Sequence, residues 1–136
     1  MTNSSTTIYP LRLHPGQDLR TSIEEFAKEK NIRAGFIITA IGSLNGYHLR
    51  FANKQQGSSA SGHFEILSLN GTISSNGVHL HISMADNNGK TIGGHLLEGN
   101  PIYTTAEIII GDSPQHIFTR NKDPKTGFNE LEIGDR

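Results

Sequence analysis

The segment Val78-His79-Leu80-His81-Ile82-Ser83-Met84-Ala85-Asp86-Asn87-Asn88-Gly89-Lys90-Thr91-Ile92-Gly93-Gly94-His95-Leu96-Leu97 decides how this chain is read. Val78, Leu80, Ile82 and Met84 alternate with His79, His81 and Ser83. Side chains on a strand point alternately to its two faces, so the pattern predicts a β-strand with one apolar and one histidine face. The apolar face belongs against a core. The histidine face lines a pocket, an interface or solvent. Asp86 to Gly89 is a turn signal, and Lys90–Leu97 reads as the return strand of a hairpin.

Working outward, the hairpin pattern continues on both sides. Towards the C-terminus, Glu98 to Pro101 turns, Ile102–Ile110 is a strongly β-prone strand and Gly111–Gln115 is a loop. The tail from His116 is ambiguous, with short strands expected near His116–Thr119 and Asn129–Ile133. Towards the N-terminus, Ser74–Gly77 is a turn and Phe64–Ile73 a strand. Asn53–Gly62 is rich in Gln, Ser and Gly and reads as an exposed loop. Ala34–Leu44 reads as a buried strand, Asn45-Gly46 as a hairpin signal and Tyr47–Ala52 as the return strand. Ile8–Leu13 reads as a strand, broken by His14-Pro15-Gly16. Asp18 can cap a helix running to about Lys30, whose Leu19, Ile23, Phe26 and Ala27 fall on one face. One helix followed by hairpin-joined strands implies an α+β domain with a largely antiparallel sheet, and this many strands favour curling towards a barrel.

A chain of 136 residues fits a single domain spanning 1–136, with 1–7 and about 134–136 expected to be flexible. The absence of cysteine excludes a Cys-type zinc site and a thiol nucleophile, and is compatible with the reducing cytosol expected as its location. Met1 to Thr7 is polar, and no apolar run approaches the ~20 residues that span a bilayer, so no membrane partner is expected. Twelve basic and thirteen acidic residues give a net charge of −1, which counts against direct DNA binding. The mixed charges from Glu24 to Lys30 read as a solvated helix face. Neither Gly42-Ser43 nor Gly93-Gly94 fits a phosphate-loop template, and Ser43 lacks a nucleophile-elbow context.

Seven histidines are the unusual count. On one strand face, His79 and His81 have Cβ atoms roughly 7 Å apart, within reach of one ion at Zn–N distances of ~2.0–2.1 Å. Pairing outward from Asn87-Asn88 brings His81 near residue 94. His95 is then close, and its face depends on the register, which a bulge at Gly93-Gly94 could adjust. Together His79, His81 and His95 form a His-X-His-X13-His set. Three neutral nitrogen donors suit a divalent metal, zinc first, with a fourth position open to water or substrate. A bound water there could serve as base or nucleophile. The plainer reading is a surface or hydrogen-bonded histidine pair. His14, His48, His63 and His116 read as structural or exposed. Glu65, Glu98 and Glu107 are carboxylates in or beside apolar strands, and Arg50 could bind an anionic substrate. Glu65, Glu98 and Arg50 are the catalytic candidates, each with an ion-paired or exposed alternative, and the residues leave open whether the protein is an enzyme.

Leu13-His-Pro-Gly-Gln-Asp-Leu19, Ala40-Ile-Gly-Ser-Leu44, Phe64-Glu-Ile-Leu-Ser-Leu-Asn-Gly-Thr72, His79-Leu-His81 and Gly93-Gly-His-Leu-Leu-Glu-Gly99 follow one another as in the PPC domain (plant and prokaryote conserved domain), which the chain resembles over about residues 8–120. The resemblance implies a compact α+β fold around a strongly curved antiparallel sheet, assembled as a homotrimer. In plants the domain follows AT-hooks in nuclear DNA-binding proteins, where it makes chiefly protein–protein contacts. This chain has no Arg-Gly-Arg-Pro hook and looks like the stand-alone prokaryotic form. The expected role is a binding or regulatory module for protein partners or a small molecule. The fold group is also similar to α-acetolactate decarboxylase and to a metal-dependent hydrolase-like family, which hold zinc through His-X-His and a later His. That likeness implies His79, His81 and His95 as ligands, with a zinc-dependent lyase or hydrolase as the alternative function.

Overall fold

The computed structural model describes residues 5–136. In chain order the elements are β1 (Thr7–Leu13), α1 (Leu19–Glu29), β2 (Ala34–Arg50), β3 (Ser58–Ser74), β4 (Gly77–Ala85), β5 (Thr91–Leu96), β6 (Ile102–Asp112), β7 (His116–Lys122) and β8 (Asn129–Asp135). Six strands form one antiparallel sheet in the order β1-β6-β2-β3-β4-β5, and β7 pairs with β8 alone. β2 also pairs with β5, through Leu49–Leu96 and Arg50–His95. This second pairing closes β2, β3, β4 and β5 into a ring, the strongly curved, largely antiparallel α+β architecture that the sequence predicts.

Alternation decides which side of the ring is core. Val78, Leu80, Ile82 and Met84 are buried on β4, where they meet Leu49, Leu69 and Leu96 in one apolar cluster. Fully burying such a side chain contributes ~1.5–3 kcal/mol. Helix α1 adds Leu19, Ile23 and Ala27 to the same cluster. Its N-cap is Asp18, whose carboxylate accepts from the backbone N–H of Thr21 at 2.9 Å, Gly99 at 2.8 Å and Asn100 at 2.7 Å. Burial pushes this carboxyl's pKa up, but the backbone donors outweigh it and hold it below the usual range. One side chain thereby caps the helix and ties it to the turn that follows β5.

Two sequence expectations are revised and a third is extended. Asn45-Gly46 is not a hairpin turn, because β2 continues through it to Arg50. A type I′ turn needs positive φ at both positions, and neither residue has it. Instead the pairing with β3 shifts register between Leu44 and Gly46, and Asn45 N–H donates to Pro101 O at 2.9 Å. The reversal comes later, over residues 51–57, so Ser58 to Gly62 belong to β3 rather than to a loop. The ambiguous tail forms a full hairpin, β7–β8, docked on the β3–β4 turn. There Asn76 accepts from Arg120 N–H at 2.7 Å, and its amide donates to Arg120 O at 2.8 Å. Residues 134 and 135 lie within β8, and the first four residues of the 1–7 stretch lie outside the described residues.

Candidate metal centre

The β4–β5 turn sets the site. Asp86 N–H donates to Lys90 O, and the Asp86 carboxylate accepts from the N–H groups of Asn88 and Lys90, all at 2.9 Å. Gly89, with φ +79°, supplies the left-handed residue that closes the loop. Pairing resumes at Ala85–Thr91, so the loop centres on Asn88 and His81 stands directly opposite His95. The register reaches this alignment through the loop, and no bulge interrupts β4–β5. Gly93 permits the close approach: a Cβ there would lie 2.6 Å from Ile82 O.

Register carries the row across the ring. Asn70 pairs with His81, His81 with His95, and His95 with Arg50, while Thr72 pairs with His79. All of these side chains share the outer face of the ring, away from the apolar cluster. One nitrogen from each of His79, His81 and His95 lies within 4.8 Å of the others. The ring centroids are 4.9, 5.2 and 5.8 Å apart. Nitrogens on one tetrahedral zinc stand about 3.3 Å apart, so modest side-chain rotation brings the donors to that spacing.

The electrostatics favour the ligand form of imidazole. Burial, then the Arg50 guanidinium, His79, Arg20 and His81, push the His95 pKa down to about 4. Burial, then Arg120 and His81, also lower that of His79, with Glu130 opposing. Both rings are therefore neutral at pH 7, with a lone pair to give. His95 Nδ1 is buried with no hydrogen-bond partner among the described residues. Leaving such an atom unpaired costs about 1–3 kcal/mol, and a divalent ion is a partner of the right chemistry. By donor type and spacing the three residues fit a metal, and His79 and His95 fit it by protonation as well.

Of the catalytic candidates, only Arg50 joins the cluster, in a cavity with His79, His81 and His95. Glu65 is exposed and pairs with Ser43 and Ala85, at the far end of β4. Exposed Glu98 accepts from the Thr21 hydroxyl at 3.3 Å, beside the helix start. Glu107 is exposed between its partners Arg12 and Ile41. The other histidines sit elsewhere: His48 Nδ1 contacts Glu98 O at 2.6 Å, His63 stacks on Tyr103 at 4.2 Å, His116 Nδ1 meets Ser113 Oγ at 2.6 Å, and His14 is exposed. Sequence reasoning missed Arg20, Arg120, Phe128 and Glu130, which line the space beside His79 and His95. Arg20 lies on α1 outside the apolar stripe of Leu19, Ile23, Phe26 and Ala27, and the other three lie in the tail, which shows no clear periodicity.

Fold and site together define a small ring-closed α+β domain with a three-histidine cluster on its outer face. Residues 1–114 match the model of the Plants and Prokaryotes Conserved (PCC) domain, and the chain belongs to that family. Its sequence is 48% identical over 133 residues to the Bifunctional protein GlmU of a Synechococcus species. The match covers 98% of this chain and 21% of that protein, so the chain spans about one fifth of its curated relative. The structure of the hypothetical protein from Salmonella enterica superposes with a TM-score of 0.95 at 37% identity, covering 99% of this chain and 98% of that one. The metal-containing protein from Archaeoglobus fulgidus superposes with a TM-score of 0.80 at 26% identity, covering 97% and 99%. No helix among the described residues is long and apolar enough to cross a membrane.

Proposed function

We propose that this PCC-family chain is a binding or regulatory module built around one divalent metal ion, zinc in the first instance, held by His79, His81 and His95. The observation that carries the reading is the set of three imidazole nitrogens within 4.8 Å of one another, two of the rings with lowered pKa. The metal-containing relative from Archaeoglobus fulgidus supports it. When bound, such an ion supplies Lewis acidity at an open coordination position. The working form is a homotrimer in the cytoplasm. Ile38, Ile41 and Leu67 support self-association, because they are large apolar side chains about half exposed, at 48, 56 and 54%.

The same site carries a second reading, a zinc-dependent lyase or hydrolase of small-molecule metabolism. The cavity beside the histidines and the presence of Arg50 in it favour this reading. Glu130 is the carboxylate that lines that space, so it replaces Glu65 and Glu98 as the acid–base candidate. Direct DNA binding has the net charge of −1 against it, and a gel shift with AT-rich duplex at low salt would reverse that judgement.

Zinc titration of untagged, metal-stripped protein tests the main reading. Wild type is expected to take up one equivalent per chain and a His79→Ala/His81→Ala variant none. Equal, sub-stoichiometric uptake by both would overturn it.

A further inference from the structure

The C-terminal hairpin adds something that the family match does not cover. The PCC match ends at residue 114, whereas β7 and β8 span His116–Lys122 and Asn129–Asp135. This hairpin carries Arg120, Phe128 and Glu130 to the outer face of the ring. There they meet Arg20 from α1, Arg50 from β2 and the rings of His79 and His95 around a cavity of about 520 Å³. That is within the ~300–1,000 Å³ of small-molecule sites.

The charges in this cavity are unbalanced. Three guanidiniums face one carboxylate, Glu130. Arg20 spends Nε on Glu24 at 3.0 Å and Nη1 on Leu96 O at 2.7 Å. Arg120 donates Nη2 to the Thr72 hydroxyl at 2.8 Å, and its Nε is buried without a partner among the described residues. Arg50 makes no ion pair among the described residues. Burying guanidinium donors is costly unless an acceptor meets them, and guanidinium matches carboxylate and phosphate oxygens in planar pairs. Phe128, which is 63% exposed, provides an apolar wall at the rim.

We propose that this cavity binds a small oxyanion-bearing molecule, a carboxylate or a phosphate, on Arg20, Arg50 and Arg120, with the β7–β8 hairpin forming the wall that selects it. The site adjoins the proposed metal centre but stands on the arginines, so it is testable without metal.

Calorimetry on metal-free protein, with inorganic phosphate and with succinate as separate probes, performs the test. Saturable one-to-one binding of either probe supports the proposal, and the tighter of the two identifies the anion class. Arg50→Gln and Arg120→Gln are each expected to weaken that binding about 10–100-fold, the loss of one charged hydrogen-bonding partner. Arg12→Gln, whose Nε donates to Thr105 away from the cavity, serves as the control and should bind as wild type. Arg50 makes no side-chain hydrogen bond within the described residues, so its variant keeps the test valid if Arg120→Gln fails to fold. Absence of saturable binding, or Arg50→Gln binding as tightly as wild type, would overturn the proposal. Either result leaves the zinc titration untouched, so the two readings fail separately.

Discussion

Asn100→Leu tests whether one buried amide holds the end of β5 against β2. Asn100 is fully buried. Its Oδ1 accepts from His48 N–H at 2.9 Å, and its Nδ2 donates to Leu97 O at 2.6 Å and to His48 O at 3.2 Å. Leucine has the same branched arrangement of heavy atoms but no polar atoms. His48 O keeps a bond from Leu97 N–H, so the substitution strands two backbone groups, His48 N–H and Leu97 O. Each costs about 1–3 kcal/mol, and the leucine returns ~1.5–3 kcal/mol of apolar burial. At the middle of these ranges the net loss is about 2 kcal/mol. With ~2.1 cal/mol/K of unfolding entropy per residue over 136 residues, this lowers Tm by about 7 °C. Thermal and urea melts followed by circular dichroism measure it. Asn100→Asp adds a sharper readout. Its carboxylate would face Leu97 O, whereas the protonated acid could donate to it. Its folded pKa is thus raised above the ordinary ~3.9, and the variant should regain stability relative to wild type as pH falls towards that value. A loss below 1 kcal/mol for Asn100→Leu, or parallel pH profiles for Asn100→Asp and wild type, would refute this account of the turn.

Two further outcomes are expected. Gly71→Ala should cost at least ~3 kcal/mol and also weaken zinc uptake, because Gly71 has φ +148° and a Cβ there would stand 2.0 Å from His79 O. Gly16→Ala, where φ is +87° and nothing among the described residues lies within 4 Å of an added Cβ, should cost only about 1 kcal/mol. Melts of both variants check this, and equal costs would contradict the backbone-approach argument. In metal-free protein, His95 titrates near 4 when folded and near its ordinary 6.5 when unfolded. Between those values the unfolded chain binds the extra proton, so stability should fall as pH drops from about 6.5 to about 4. His95→Gln should flatten that slope, and an unchanged slope would show that His95 does not carry it.

Legibility followed the range of the interactions. The helix, its Asp18 cap, the β4 alternation and the Asp86–Gly89 turn are local patterns, and they were readable. The expected partner of His81 was off by one residue because the loop holds five residues, Asp86 to Lys90, and its length depends on how Asp86 bonds across it. Asn45-Gly46 misled because a dipeptide with turn propensity was overridden by pairing to β3 and β6 on both sides. Ring closure through Leu49–Leu96 leaves no local mark, and neither does the reach of Arg120 and Glu130 back to His79. Those contacts bring together residues tens of positions apart. The three histidines and Arg50 were legible in the sequence, while Arg20, Arg120 and Glu130 needed the tertiary structure.

The most direct measurement is an anomalous difference map across the zinc K-edge, from crystals of untagged protein grown with one equivalent of zinc. One dominant peak per chain is expected, bounded by the imidazoles of His79, His81 and His95. A zinc peak elsewhere with none among these rings, or no peak at all, would contradict it.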